Sequence, residues 1–221
     1  MPYDPVGTVR NRTLPGYGNT AFSPPHIGSG KLWRGLRIGL LGGSFNPAHD
    51  GHRHISLMAL RHLGLDQVWW LVSPQNPLKP SHGMAPMQTR IEQAKRIARH
   101  PRIMVTDLEQ QLGTQYTSDT LPALKSAFNG TDFVWLMGAD NLSQIRYWDR
   151  WQSIFTTMPV AVFARSPYSL RACSSLAAAR YQRHRLTGRQ SRRLSKVGPP
   201  AWTFLAIPLH GASASAIRAA G

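Results

Sequence analysis

The sequence predicts an α/β protein built on a doubly wound parallel sheet, and three observations carry that expectation. Short apolar runs of strand length alternate along the chain with stretches whose apolar residues recur at helical spacing. The runs are near-continuous in Val, Ile, Leu and Trp, as expected of strands covered on both faces. The first of them ends in Gly42-Gly43, where a buried strand gives way to a turn.

Taken in order, LRIGLL (36–41) is the first strand. A helix over 51–63 follows, because Ile55, Met58, Ala59 and Leu63 share one face and Gly64 supplies a C-terminal stop. QVWWLVS (67–73) is the second strand, 87–99 a helix and 103–107 a strand. Ser118-Asp119 is expected to cap a helix reaching Phe128. DFVWLMG (132–138) is a strand, 142–154 is helical, and PVAVFA (159–164) is a strand. A helix from about residue 170 precedes the strand WTFLAI (202–207), and Ser213 opens a short terminal helix. No internal repeat is present. Residues 35–221 therefore read as one domain, with a loose Pro-, Gly- and Arg-rich arm at 1–34.

Composition narrows the class. A chain of 221 residues, 42% hydrophobic and 16% charged, buries enough surface to fold without disulfides. Its lone Cys173 excludes a disulfide framework and a zinc ribbon, fits a reducing compartment and is expected to be inert packing. No apolar run reaches about 18 residues and the N-terminus lacks an apolar core, so neither a membrane span nor a secretory signal is expected, and the chain reads as cytoplasmic. The charge of +16 calls for anionic partners: nucleotides, nucleic acid or a membrane surface. Part of it lies in a run at 180–196 holding Arg180, Arg183, Arg185, Arg189, Arg192, Arg193 and Lys196. This run reads as a solvated insertion on a helix end. Few aromatics interleave with it, which weakens base stacking.

In open α/β sheets, ligands bind beyond the carboxyl ends of the strands. The first such end here is Gly42-Gly43-Ser44-Phe45-Asn46-Pro47-Ala48-His49-Asp50-Gly51-His52. Gly42 and Gly43 leave the main chain open to a phosphate. A helix starting near His52 aims its free N–H groups at the same place, and His49 and His52 add donors. A P-loop and a GxGxxG fingerprint are both absent, and Ser44 lacks the flanking glycines of a nucleophile elbow. A metal held by His49, Asp50, His52 and His54 lacks the outside Cys or HExxH partner such sites use. A polyphosphate cradle is the better reading.

That string is similar to the GGxFxPxHxGH signature of the HxGH nucleotidyltransferase superfamily. Ser213-Ala214-Ser215-Ala216-Ile217-Arg218 resembles its terminal SxTxIR element. Four further segments resemble the nicotinate-nucleotide adenylyltransferase branch: YTSDTL (116–121), GADN (138–141) with Trp148 and Trp151, SPQNPLK (73–79) and VFAR (162–165). Asn46 and Leu78 depart from the branch, where Asp and a basic or His residue are frequent.

The resemblance implies a Rossmann-like nucleotidyltransferase fold and adenylyl transfer from ATP to nicotinate mononucleotide, giving deamido-NAD and pyrophosphate. It implies ATP contacts from Gly42, Gly43, Ser44, Phe45, His49, His52, Lys79, Gly138, Arg165, Ser213, Ser215 and Arg218, with His49 and His52 catalytic. Asn76, Thr117, Asp140 and Trp148 would take the acceptor. Mg²⁺ would arrive on the substrate rather than in a protein cage. Two rivals stay open: a nucleotidyltransferase for nicotinamide mononucleotide or another phosphorylated acceptor, and a nucleic-acid-binding protein driven by charge. Nucleic acid is not expected as the main partner, and a homo-oligomer is left open.

Overall fold

The computed structural model describes residues 23–74, 83–165, 169–208 and 210–211. Their elements are β1 (Arg37–Gly43), α1 (Asp50–His62), β2 (Gln67–Val72), α2 (Met87–Ala98), β3 (Ile103–Thr106), α3 (Leu108–Gln111), α4 (Thr117–Ala127), β4 (Asp132–Gly138), α5 (Ala139–Gln144), α6 (Trp151–Thr157), β5 (Val160–Phe163), α7 (Ser169–Cys173), α8 (Leu176–Arg180), β6 (Arg185–Leu186), α9 (Leu194–Val197) and β7 (Trp202–Leu205). The strands form one sheet in the order β3-β2-β1-β4-β5-β7-β6, with every neighbouring pair parallel. The expected doubly wound α/β sheet is present.

Each central strand is apolar along its length because it feeds two cores in alternation. Trp69 and Leu71 of β2, with Phe133, Trp135 and Met137 of β4, enter the layer under α4, α5 and α6. Val68, Trp70 and Val72, with Val134 and Leu136, enter the opposite layer under α1 and α2. Period-two alternation across the pleat sends successive side chains to opposite faces. In the first layer Trp69 meets Trp33, Phe128 and Phe133 edge-on, with centroids 5.0, 5.1 and 5.6 Å away. Such pairs add ~0.5–1.5 kcal/mol each beyond burial.

The structure corrects several expectations. Trp33 is 3% exposed, and a short 3-10 turn at Gly30–Trp33 delivers it into the core, so the described end of the arm reaches the interior and does not merely lie on the surface. The basic run is more than a solvated helix end. It forms β6, which pairs with β7, and Ser191 Oγ donates to the His62 carbonyl at 3.0 Å while Leu194 is fully buried. Ser118 does not cap: α4 starts at Thr117 after Tyr116, and Ser118 Oγ instead donates to Asp149 at 2.8 Å. Cys173 is exposed rather than packed. The terminal helix expected at Ser213 lies outside the described residues. No helix among the described residues is long and apolar enough to cross a membrane.

Candidate active site

Strand β1 has β2 on one side and β4 on the other, so the connections leaving β1 and β4 part company between them. This is the switch point at which open α/β sheets bind ligands. The glycine-rich loop leaves β1 here, and Gly138-Ala139-Asp140 leaves β4 beside it.

The two histidines close the first turn of α1. That helix begins at Asp50, one residue before the expected 51, and His49 is its N-cap with extended backbone. His49 Nδ1 accepts the Gly51 N–H at 3.1 Å, and His52 Nδ1 accepts the His49 N–H at 3.2 Å. The motif is a capping box built from imidazoles, where Ser or Thr and Glu would be usual. The rings lie 3.9 Å apart. An Nδ1 that accepts leaves the proton of a neutral imidazole on Nε2. Each ring is thus a donor at its outer nitrogen.

His49 is 4% exposed, and its pKa is pushed down to about 4, first by burial and then by Arg165 and His210. It is therefore a neutral donor at pH 7. His54 turns elsewhere, its Nε2 lying 2.7 Å from the Pro208 carbonyl. Among the described residues no three His, Cys, Asp or Glu side chains are disposed around one metal position.

The loop itself is tightly held. Phe45 sits at φ 47°, in the left-handed region that bulky residues avoid, at a cost of ~1–3 kcal/mol. Its ring is 2% exposed, stacks on Trp70 at 4.9 Å and touches His52 at 4.7 Å. Asn46 donates from Nδ2 to the Gly83 carbonyl at 3.1 Å and accepts the Ala85 N–H at 3.2 Å. A carboxylate could only accept, so the amide is needed for both bonds. For Gly42 the structure supplies a second reason besides phosphate approach, since a Cβ there would lie 2.4 Å from Trp135 Cη2. Gly43 has room, as its Cβ would meet Phe45 at 3.6 Å.

On the β4 side, a Cβ at Gly138 would fall 2.3 Å from Asp140 Oδ1, so only glycine admits that carboxylate. Asp140 Oδ2 accepts from Arg165 Nη1 at 3.2 Å, while its buried Oδ1 has no hydrogen-bond partner among the described residues. No side-chain bond caps α5, so a helix cap does not account for Asp140. Arg165 and Asp140 both act electrostatically on His49. The structure therefore gathers Gly42, Gly43, Ser44, Phe45, His49, His52, Gly138, Asp140 and Arg165 at one end of the sheet.

Thr117 and Trp148 flank a second feature, the Ser118–Asp149 bond that ties the start of α4 to the segment before α6. Both are half-buried, and Trp148 packs against the core. Asn76, Lys79, Ser213, Ser215 and Arg218 lie outside the described residues.

Two residues went unnoticed in the sequence. Arg90 is 1% exposed and bonded to main-chain carbonyls of the loops just described. Glu109, 5% exposed and bonded to Ser73, has its pKa pushed up to about 7 by burial. A signal for Arg90 existed: it shares the helical stripe of Met87, Ile91, Ala94 and Ala98, where an arginine is out of place.

Fold and loop together define a protein of the α/β nucleotidyltransferase class, with a glycine turn and a histidine-capped helix at the switch point of its sheet. The family model described as cytidylyltransferase-like matches residues 40–220. A protein of Roseobacter denitrificans named "probable nicotinate-nucleotide adenylyltransferase" is 51% identical over 86% of this chain and 96% of its own. Relatives of the same name from Cereibacter sphaeroides and Parvibaculum lavamentivorans are 53% and 52% identical over 83% and 86% of this chain, covering 97% and 94% of their own lengths. A solved nicotinic acid mononucleotide adenylyltransferase of Plasmodium falciparum, complexed with NaAD, shares the fold at TM-score 0.64 and 16% identity, over 83% of each chain. The chain belongs to the cytidylyltransferase-like family and, within it, to the nicotinate-nucleotide adenylyltransferases.

Proposed function

We propose that this chain transfers the adenylyl group of ATP to nicotinate mononucleotide, releasing pyrophosphate and forming deamido-NAD. The acceptor's phosphate oxygen attacks the α-phosphorus in line as the bond from that phosphorus to the α,β-bridging oxygen breaks, and the leaving electron pair goes to that oxygen of pyrophosphate. No covalent enzyme intermediate is required, so the protein's work is alignment and charge stabilisation.

The observation that carries this reading is the pair of imidazoles whose Nδ1 atoms are spent on the main chain, leaving Nε2–H donors at a helix N-terminus beside the sheet's switch point. His49 and His52 act as those donors on the triphosphate. Ser44 and Phe45 offer their N–H groups, and Gly43 and Gly138 keep the approach open. Arg165 neutralises phosphate oxygen, and Lys79, Ser213, Ser215 and Arg218 are assigned to the same ligand. Asp140 has a carboxylate oxygen without a partner and is suited to a hydroxyl or amino donor of a nucleotide. Asn76, Thr117 and Trp148 are assigned to the acceptor, Trp148 by stacking on the pyridine ring.

The donor set around the loop is N–H, which matches phosphate oxygens and not a hard cation. Mg²⁺ would therefore be held by ATP and water, and when bound it neutralises phosphate charge. In the same reading the residues from 35 onward act as one nucleotidyltransferase domain working in the cytoplasm, where ATP is supplied. Pyrophosphate release with ATP and Mg²⁺ across a panel of acceptors tests the assignment. Nicotinate mononucleotide is expected to exceed nicotinamide mononucleotide at least tenfold in kcat/KM, and equal use of the two would overturn the acceptor choice.

A further inference from the structure

Arg90 is a buried cation that pairs with no carboxylate among the described residues. It stands in the second turn of α2, and four of its N–H groups end on main-chain oxygens. Nε donates to Ala85 at 2.9 Å, Nη1 to Ser44 at 2.7 Å and to Ser73 at 2.8 Å, and Nη2 to Pro74 at 3.0 Å. Three chain segments thus meet on one planar group: the glycine-rich loop, the end of β2 and the lead into α2. Asn46 repeats the link between the first and third of them through Gly83 and Ala85.

The Ser44 bond sets a peptide plane. Among the described residues only the Asn46-Pro47 and Pro199-Pro200 bonds are cis, so the Ser44–Phe45 peptide is trans and its C=O and N–H point in opposite directions. With the Ser44 carbonyl drawn inward onto the guanidinium, the Phe45 N–H is turned away from it. No hydrogen bond within the described residues uses that N–H. Phe45 also carries the left-handed φ of 47°, so the turn at this peptide is a fixed feature of the loop.

We propose that Arg90 is a positioning residue for adenylyl transfer: it locks the Ser44 carbonyl inward so that the Phe45 N–H faces the triphosphate, and its uncompensated charge lies behind that turn. This rests on the reading of the loop as the triphosphate site. Arg90 touches no substrate. Its effect passes through the loop main chain and falls on phosphate recognition, not on the nucleoside.

The test compares wild type, Arg90→Lys and Arg90→Met by calorimetric binding of ATP, inorganic tripolyphosphate and adenosine, with turnover and circular-dichroism melting alongside. Lysine keeps the charge but cannot reach four carbonyls in a plane. The expected result is tripolyphosphate and ATP binding weakened at least tenfold in both variants, adenosine binding within twofold of wild type, and kcat lower in Met than in Lys. Unchanged phosphate binding in a folded variant would overturn the proposal. So would equal weakening of all three ligands, or failure of both variants to fold, since each would make Arg90 scaffold only. Wild-type protein that binds tripolyphosphate but does not turn over nicotinate mononucleotide would count against the function reading and leave the role of Arg90 intact.

Discussion

His52 reaches back over one helical turn to accept the His49 N–H at 3.2 Å, while His49 accepts from Gly51, so the two rings hold each other's orientation through the main chain. A residue in such a place does two jobs, and they can be separated. His52→Ala removes the cap, worth about 1 kcal/mol, and the Nε2–H donor, worth ~10²–10³ in kcat. His52→Glu restores the ordinary capping partner yet sets a carboxylate against phosphate. Melting temperature should recover in the Glu variant while turnover stays lost, and near-normal kcat in either variant would remove His52 from the chemistry.

The protonation of His49 gives a pH signature. Its folded pKa of about 4 lies below the unfolded 6.5, so between these values the unfolded chain binds the extra proton. Stability is therefore present above about pH 6.5 and is lost as pH falls toward 4. His49→Asn keeps an N-cap acceptor but cannot titrate. Urea midpoints at pH 7 and pH 4.5 should differ less in this variant than in wild type. Proton NMR of the ring should show a midpoint near 4, and a midpoint near 6.5 would contradict the burial argument.

Glu109 has the opposite sign. Burial pushes its folded pKa from 4.5 to about 7, so the native state holds the proton across that window. Stability is full below about pH 4.5 on this account and falls as pH rises through 7. Glu109→Gln keeps a partner for Ser73 and cannot ionise. The variant should gain on wild type as denaturation is moved from pH 5 to pH 8, and a gain independent of pH would rule this account out.

The two neighbouring glycines should part company. Gly42→Ala drives a methyl to 2.4 Å from the Trp135 ring and should cost ~1–3 kcal/mol of stability through overpacking. Gly43→Ala meets only an ordinary contact at 3.6 Å. Its melting temperature should stay near that of wild type, with any penalty appearing in KM for ATP. Thermal melts of the pair, read beside steady-state kinetics, check both halves.

The sheet was legible because each central strand is apolar throughout, and the glycine-rich string marked the end of β1 by residue type. Strand β6 was hidden: Arg185-Leu186 has no apolar run, and its pairing with Trp202 and Thr203 depends on where β7 passes. The start of α1 was misjudged because histidine is not among the usual caps, and only the structure shows imidazole nitrogen taking that role. Arg90 escaped for a deeper reason. Its partners are carbonyl oxygens, which every residue carries, so no pattern of side chains announces them. The sequence likewise gives no sign that one carboxylate oxygen of Asp140 is buried without a partner among the described residues, because that depends on how Gly138 and Arg165 pack around it.

The aromatic wedge of Phe45 on Trp70 has an energetic corollary for ATP. The unfavourable torsion at Phe45 is met when the chain folds, by ring packing that exists without ligand, so under the proposed assignment of this loop to the triphosphate, nucleotide encounters a receptor already in its working shape. Little ordering entropy is then charged to association, and the tightness of the complex reflects contacts made, undiminished by the cost of building the loop.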